Sequence, residues 1–343
     1  MKQIFFLASF CFLTLTCTSQ QSFSKNDYDK ALSKYINTIS SQELKTHLYI
    51  FASDEFEGRN TGEEGQKKAA NYIREFYIKE GIKSPESPYV QNYFQTIPAN
   101  TYPRIKKDTE NVLGFIKGTE KPDEIIVISA HYDHVGMHNG EIYNGADDDG
   151  SGSVALLEMA QAFQLAIKDG FKPKRSILFL HVTAEELGLL GSKYYTDTQP
   201  VFPLESTIAN LNIDMIGRVD DLHKDDKNYV YLIGSDKLST DLHNLSEKIN
   251  NQYIKMNLDY KYNSESDPNR FYYRSDHYNF AKNDIPCIFY FNGVHDDYHQ
   301  PTDTPDKIDY DLLAKRTQLI FATAWELANS EHKPVVDKPT KTK

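Results

Sequence analysis

Three consecutive aspartates, Asp147, Asp148 and Asp149, stand in the run Asn144-Gly145-Ala146-Asp147-Asp148-Asp149-Gly150-Ser151-Gly152, shortly after Ser129-Ala130-His131-Tyr132-Asp133. Adjoining carboxylates repel one another unless a positive charge sits among them. A metal ion is the simplest such charge, and its other ligands must come from elsewhere in the chain. Four apolar runs offer them. His131 follows Ile125-Ile126-Val127-Ile128, and Glu185-Glu186 follows the run from Ser176 to Val182. Asp214 follows Ile208 to Ile213, and the loop from His295 to Thr304, with His299 and Asp303, follows Ile285 to Phe291.

Short apolar runs of this kind suit strands buried on both faces of a parallel sheet. Ligands in open α/β sheets gather beyond the carboxyl ends of the strands. Four strands that each deliver a histidine or carboxylate to the same edge point to a metal site. Two histidines and three carboxylates, one of them bridging, suit two zinc ions, and the charge balances with one bridging hydroxide. Such pairs, roughly 3.5–4 Å apart, activate water and polarise a carbonyl. One carboxylate must stay off the metals to carry a proton. The Glu185-Glu186 pair offers one for each duty.

Elements that position these residues are legible around them. Apolar residues recur at helical spacing between Asp27 and Ala52 (Leu44, Leu48, Phe51) and again at Ala69, Ile73, Phe76 and Tyr77, a segment that Gly81 ends. Strands are expected at 112–116, 125–128, 176–182, 208–213, 229–233 and 285–291, with a helix over 151–167 and a closing helix carrying Leu313, Ile320, Ala324 and Leu327. Segment 84–103 reads as an irregular arm with at most an edge strand. Alternating strands and helices predict an α/β fold: a three-layer sandwich with a central, mostly parallel mixed sheet and helices on both faces.

The chain of 343 residues, 39% hydrophobic and 25% charged, is globular in composition, and its formal charge of −11 argues against general nucleic-acid binding. Residues 1–17 have the layout of a signal peptide, with Lys2 before the apolar run from Ile4 to Leu15. Cys17, in Thr14-Leu15-Thr16-Cys17, resembles a lipobox cysteine; ordinary cleavage a few residues later is the alternative. The expectation is an exported protein, either a periplasmic or outer-membrane lipoprotein or secreted, touching membrane only through a lipid on Cys17. The body is expected over 27–329 and a disordered tail over 330–343. Cys287 alone remains in the body, so a disulfide framework is excluded and a buried strand position is expected for it.

The motifs His131-Tyr-Asp133, Gly145-Ala-Asp-Asp148-Asp149-Gly-Ser-Gly152, Ala184-Glu185-Glu186-Leu-Gly188, Asn212-Ile-Asp214-Met and Tyr298-His299-Gln-Pro-Thr-Asp303 resemble those of the co-catalytic di-zinc aminopeptidases. Relatives of that family include glutamate carboxypeptidase, the transferrin receptor ectodomain and glutaminyl cyclase. The resemblance runs from about Leu44 to Leu327, since the loop Glu57-Gly-Arg59-Asn-Thr-Gly62 also matches. It implies that Asp148 bridges the zincs, that His131 and Asp214 complete one site, and that Glu186 and His299 complete the other. It implies Glu185 as general base and then acid, Asp133 behind His131, and Asp149 after a cis peptide. Tyr298, Tyr272 or Tyr273 is the expected donor to the oxyanion. The implied activity is hydrolysis of peptides at their N-terminus.

Three rivals share the architecture. In glutaminyl cyclases, by resemblance, a tryptophan precedes the last histidine ligand, whereas here Tyr298 stands there and the sole tryptophan is Trp325. A non-catalytic ectodomain conflicts with an intact ligand set. A carboxypeptidase or other amidohydrolase differs only in its loops, of which 84–108 and 255–274 would build the rim. Other residues carry plainer expectations. His134, His138 and His295 read as loop histidines, His181 as a core histidine, and Asp147 as a turn or cap residue. Arg218 reads as an ion-pair partner and His277, in Ser275-Asp276-His277, as structural. No His-Glu-x-x-His helix is present.

Overall fold

A computed structural model describes residues 25–340. The expected signal peptide, Cys17 and most of the polar segment after it lie outside the described residues, as do the last three positions of the tail. Eight strands form one sheet: β1 (Phe94–Ile97), β2 (Thr109–Ile116), β3 (Lys121–His131), β6 (Arg175–Val182), β7 (Thr207–Ile213), β8 (Tyr229–Ile233), β9 (Asn257–Asp259) and β10 (Cys287–Phe291). A separate hairpin, β4 (Gly136–His138) and β5 (Glu141–Tyr143), sits in the loop after β3. The sheet order is β1-β2-β6-β3-β7-β10-β8-β9. Its four central strands, β6, β3, β7 and β10, are parallel, while β1, β2 and β8 join antiparallel.

Alternation along β3 builds both faces. Ile126, Ile128 and Ala130 face a core shared with α4 (Gly152–Lys168) and α8 (Tyr310–Asn329), which supply Val154, Leu157, Phe163, Ile320 and Phe321. α1 (Lys25–Ile36), α2 (Ser41–Phe51), α3 (Glu64–Glu80) and α6 (Thr240–Ile249) complete that layer. Ile125 and Val127 face the other way, with Leu178, Leu180 and Val182, against Tyr195 beside α5 (Leu190–Lys193) and Phe280 of α7 (His277–Ala281). The three-layer α/β sandwich of the sequence reading is the observed fold, with unequal layers.

Local chemistry sets the boundaries. The span from Asp27 to Ala52 divides into α1 and α2, because Ser40 caps the second helix by accepting from the Glu43 N–H at 3.2 Å. Gly81, at φ 81°, ends α3 in the left-handed conformation. The irregular arm contributes β1 at the sheet edge. Residues 330–340 run along the surface, where the Asp337 N–H bonds the Leu238 carbonyl at 3.1 Å and Thr340 bonds Asp284. No helix among the described residues is long and apolar enough to cross a membrane.

Register brings the site together. His131 is level with Val182 of β6, and Ala130 with Ile213 of β7. Ile213 is in turn level with Tyr290 of β10. The residues just past these positions therefore emerge along one edge.

Candidate metal centre

His131 ends β3 fully buried. Its Nδ1 lies 3.0 Å from the Asp133 backbone carbonyl, which can only accept, so Nδ1 carries the proton and Nε2 is left as a ligand atom. That Nε2 is 3.1 Å from Asp148 Oδ1 and 3.6 Å from Asp214 Oδ1. Around the other Asp148 oxygen, Oδ2, stand His299 Nε2 at 2.9 Å and His134 Nδ1 at 3.7 Å. Glu186 joins them, with Oε2 at 3.2 Å from His299 Nε2 and Oε1 at 2.9 Å from His134 Nδ1. Two donor groups result, His131–Asp148–Asp214 and His134–Asp148–Glu186–His299, and they share Asp148.

The aspartate loop is held from several sides. The Asp148–Asp149 peptide bond is cis. Asp149 turns away from the cluster, and its Oδ1 accepts from the N–H groups of Gly152 and Met215 at 2.9 and 3.0 Å. Asp147 accepts from the Gly217 N–H at 2.6 Å and pairs with His295 Nε2 at 3.0 Å. Buried Asp303 accepts from the backbone N–H groups of Asp147 and Asp148. Beneath the loop, the buried Arg59 guanidinium donates to the carbonyls of Tyr132, Phe51, Asn144 and Gly145 at 2.7–3.2 Å. Burial lowers its pKa to about 10, against the pull of Asp148, Asp303, Asp149 and Asp133.

The donors suit a divalent ion. His134 Nδ1 and Nε2, Asp148 Oδ2 and Glu186 Oε1 are buried and make no hydrogen bond. Buried polar atoms are costly unless something satisfies them. Imidazole nitrogens with carboxylate oxygens are a zinc donor set. The carboxylates attract positive charge, which either a proton on each histidine or a metal ion displacing those protons can supply. Burial opposes the charged forms of His131 and His299, but the facing carboxylates outweigh it, holding His131 well above its ordinary range and His299 at about 10. Burial likewise opposes ionisation of Asp148 and Glu186, yet the histidines hold Asp148 well below the carboxylate range and Glu186 at about 2.

Glu185 precedes this ligand set without joining either donor group. Burial, followed by the charges of Glu186, Asp214 and Asp276, raises its pKa well above the usual value, against the opposing pull of His131. The Asp133 carboxylate accepts from Thr61 Oγ1 at 2.8 Å, while its nearer oxygen is 3.9 Å from the His131 ring. Asp133 thus orients His131 through its carbonyl. Of the three tyrosines, Tyr298 feels the charges of Asp148, Asp214, Glu186 and Glu185, and its ring stacks on His299 at 4.0 Å. Tyr272 and Tyr273 line a cavity of about 330 Å³ with Lys237, Glu265 and Arg270, and Tyr272 stands beside Cys287.

His134 enters the second donor group although its position reads as a loop; the spacing His131-x-x-His134 is the only hint of it in the sequence. His295, also a loop residue, is a latch on Asp147. Several plainer expectations hold. His181 accepts or donates at Tyr77 Oη over 2.7 Å, Arg218 pairs with Asp297 at 2.9 Å, and Cys287 is a buried free thiol.

Known proteins resemble this chain in sequence and fold. Aminopeptidase YwaD of Bacillus subtilis is 30% identical over 245 residues, covering 68% of this chain and 48% of its own. A probable glutamate carboxypeptidase of Arthroderma benhamiae is 40% identical over 114 residues, covering 33% of this chain and 15% of its own. The chain spans at most about half the length of the first curated relatives it matches. Among solved structures, BSAP, a zinc aminopeptidase from Bacillus subtilis, shares the fold with a TM-score of 0.66 and 18% identity, over 85% of this chain and 96% of that one. The sequence profile described as Peptidase family M28 matches residues 111–324, which span β2 to α8 and contain every member of both donor groups. The chain therefore belongs to peptidase family M28.

Proposed function

We propose that this protein is an exported di-zinc aminopeptidase that hydrolyses the first peptide bond of peptides with a free N-terminus. One observation carries the two-ion reading. Asp148 directs Oδ1 toward His131 and Oδ2 toward His299, so one carboxylate serves two separate donor groups. His131, Asp148 and Asp214 would hold one ion, and Asp148, Glu186 and His299 the other. Such ions, when bound, acidify water and polarise the scissile carbonyl.

The chain's own residues divide the remaining work. Glu185, next to the ligand Glu186 but outside both donor groups, takes the proton of the attacking water and returns it to the leaving amine. Asp149 and Asp303 hold the aspartate loop in place. Tyr298, set among the site carboxylates, is the donor best placed to stabilise the carbonyl oxygen as charge develops on it.

Purified protein should contain close to two zincs per chain and should cleave free-amino peptides while sparing N-blocked ones. An active metal-free enzyme would defeat this mechanism. The similarity to a glutamate carboxypeptidase supports a second reading, hydrolysis near a C-terminal acidic residue, and N-blocked peptides ending in glutamate would reveal it. Glutamine-initiated peptides test for cyclisation. Export through residues 1–17 is part of the proposal, either as a lipoprotein with a lipid on Cys17 or as a secreted protein after ordinary cleavage. Loss of labelled fatty acid from a Cys17→Ser protein would support the lipid.

A further inference from the structure

His134 is wholly inside the protein, and neither ring nitrogen makes a hydrogen bond. Its Nδ1 nevertheless comes within 2.9 Å of Glu186 Oε1 and 3.7 Å of Asp148 Oδ2. The short approach to Glu186 lacks hydrogen-bond alignment, since both atoms remain without a partner. Atoms so disposed converge on a common centre rather than on each other. All four ligand atoms of His134, Asp148, Glu186 and His299 lie within 4.8 Å of one another.

The surrounding chain fixes this ring. The His134 N–H donates to the Arg59 carbonyl at 3.2 Å. Gly145, at φ 53°, packs against the imidazole; a Cβ there would sit 2.5 Å from His134 Cγ and Cδ2. The loop therefore makes room for a ring at this depth.

We propose that His134 is a sixth ligand of the centre, so that one metal position is closed by four protein donors while the other, at His131, Asp148 and Asp214, keeps three and stays open. This inference rests on the di-zinc reading. Four-donor sites resemble closed structural zinc sites, whereas three donors with a free position are the pattern of sites that receive water and substrate. The two positions should then differ in affinity. The His134 position should fill first and release its ion last.

Zinc titration of the metal-free protein by calorimetry tests this. The wild type should bind two zincs in unequal steps. In His134→Ala and His134→Asn the tighter step should weaken by about a hundredfold or more, because even outer partners of a ligand are worth 10–100-fold. Variants that keep both affinities while the wild type binds two zincs would overturn the inference and leave the di-zinc reading intact. A wild type that binds a single zinc, lost on His134 substitution, would support His134 and defeat the two-ion reading. Should the variants not fold, X-ray absorption of the zinc-loaded wild type decides. Three imidazoles shared by two zincs would support His134 as a ligand, and two would overturn it.

Discussion

The carboxylate of Asp133 accepts a hydrogen bond from the backbone N–H of Glu185, with Oδ1 3.1 Å from the nitrogen. One residue thereby joins the end of β3, where His131 emerges, to the loop after β6, where the proposed base begins. Through Thr61 the same carboxylate also reaches the loop before α3. Burial raises its pKa to about 6, against the opposing pull of His131. Asp133→Ala should lower kcat by about 10–100-fold with zinc content nearly unchanged, as measured by turnover alongside metal analysis. A change confined to KM would contradict a positioning role for Asp133.

Glu185→Gln should retain the metals and the fold while kcat falls about 10²–10⁴-fold, the range a positioned proton carrier supplies. A variant that turns over at the wild-type rate would remove Glu185 from the reaction.

Arg59 is buried with donors to four backbone carbonyls, and no side chain of similar length replaces them. Arg59→Met should destabilise the protein by about 3–5 kcal/mol in urea unfolding, because it strands those acceptors beneath the aspartate loop. Zinc affinity should fall along with stability.

Glu158 of α4 gives the fold a pH dependence of its own. It is buried, and neither carboxyl oxygen has a hydrogen-bond partner. Burial, reinforced by the charge of Glu43, lifts its pKa from 4.5 to about 8. His47 stands 3.7 Å away, but burial lowers its own pKa, so it is a poor counter-charge. Between pH 4.5 and about 8 the unfolded chain releases this proton and the folded chain keeps it. Stability contributed by the group is thus complete below that window and lost as pH rises through it, by on the order of a few kcal/mol. Glu158→Gln should flatten the decline, raising the melting temperature at pH 8 by several degrees with little effect at pH 5, as read by calorimetry.

Much of this was legible in the sequence because buried parallel strands are short apolar runs and their ends are where chemistry gathers. The strand ends at His131, Asp214 and Glu185-Glu186 needed only that rule. His134 was hidden because it follows the strand, in a glycine-bearing stretch where a histidine ordinarily meets solvent; only tertiary packing of Arg59 and Gly145 draws it inward. The direction of Asp133 was hidden for a similar reason. Its carboxylate answers an N–H brought near by β3–β6 pairing, and no spacing rule encodes that partner. The tail is charged and looks unstructured in composition, yet backbone bonds from Asp337 and Lys338 to Leu238 place it beside the start of α6.

The shared edge of β6, β3, β7 and β10 also governs when the centre can exist. Its donors run from His131 to His299 and come from four strands that touch only after long loops have closed. Contacts of such separation are costly to form and come slowly in folding. A partly folded chain, even one with β3 and its helix in place, holds only a fragment of either donor group. Capture of a divalent ion there would therefore report that the four central strands have come together, a readout of assembly and not of local structure.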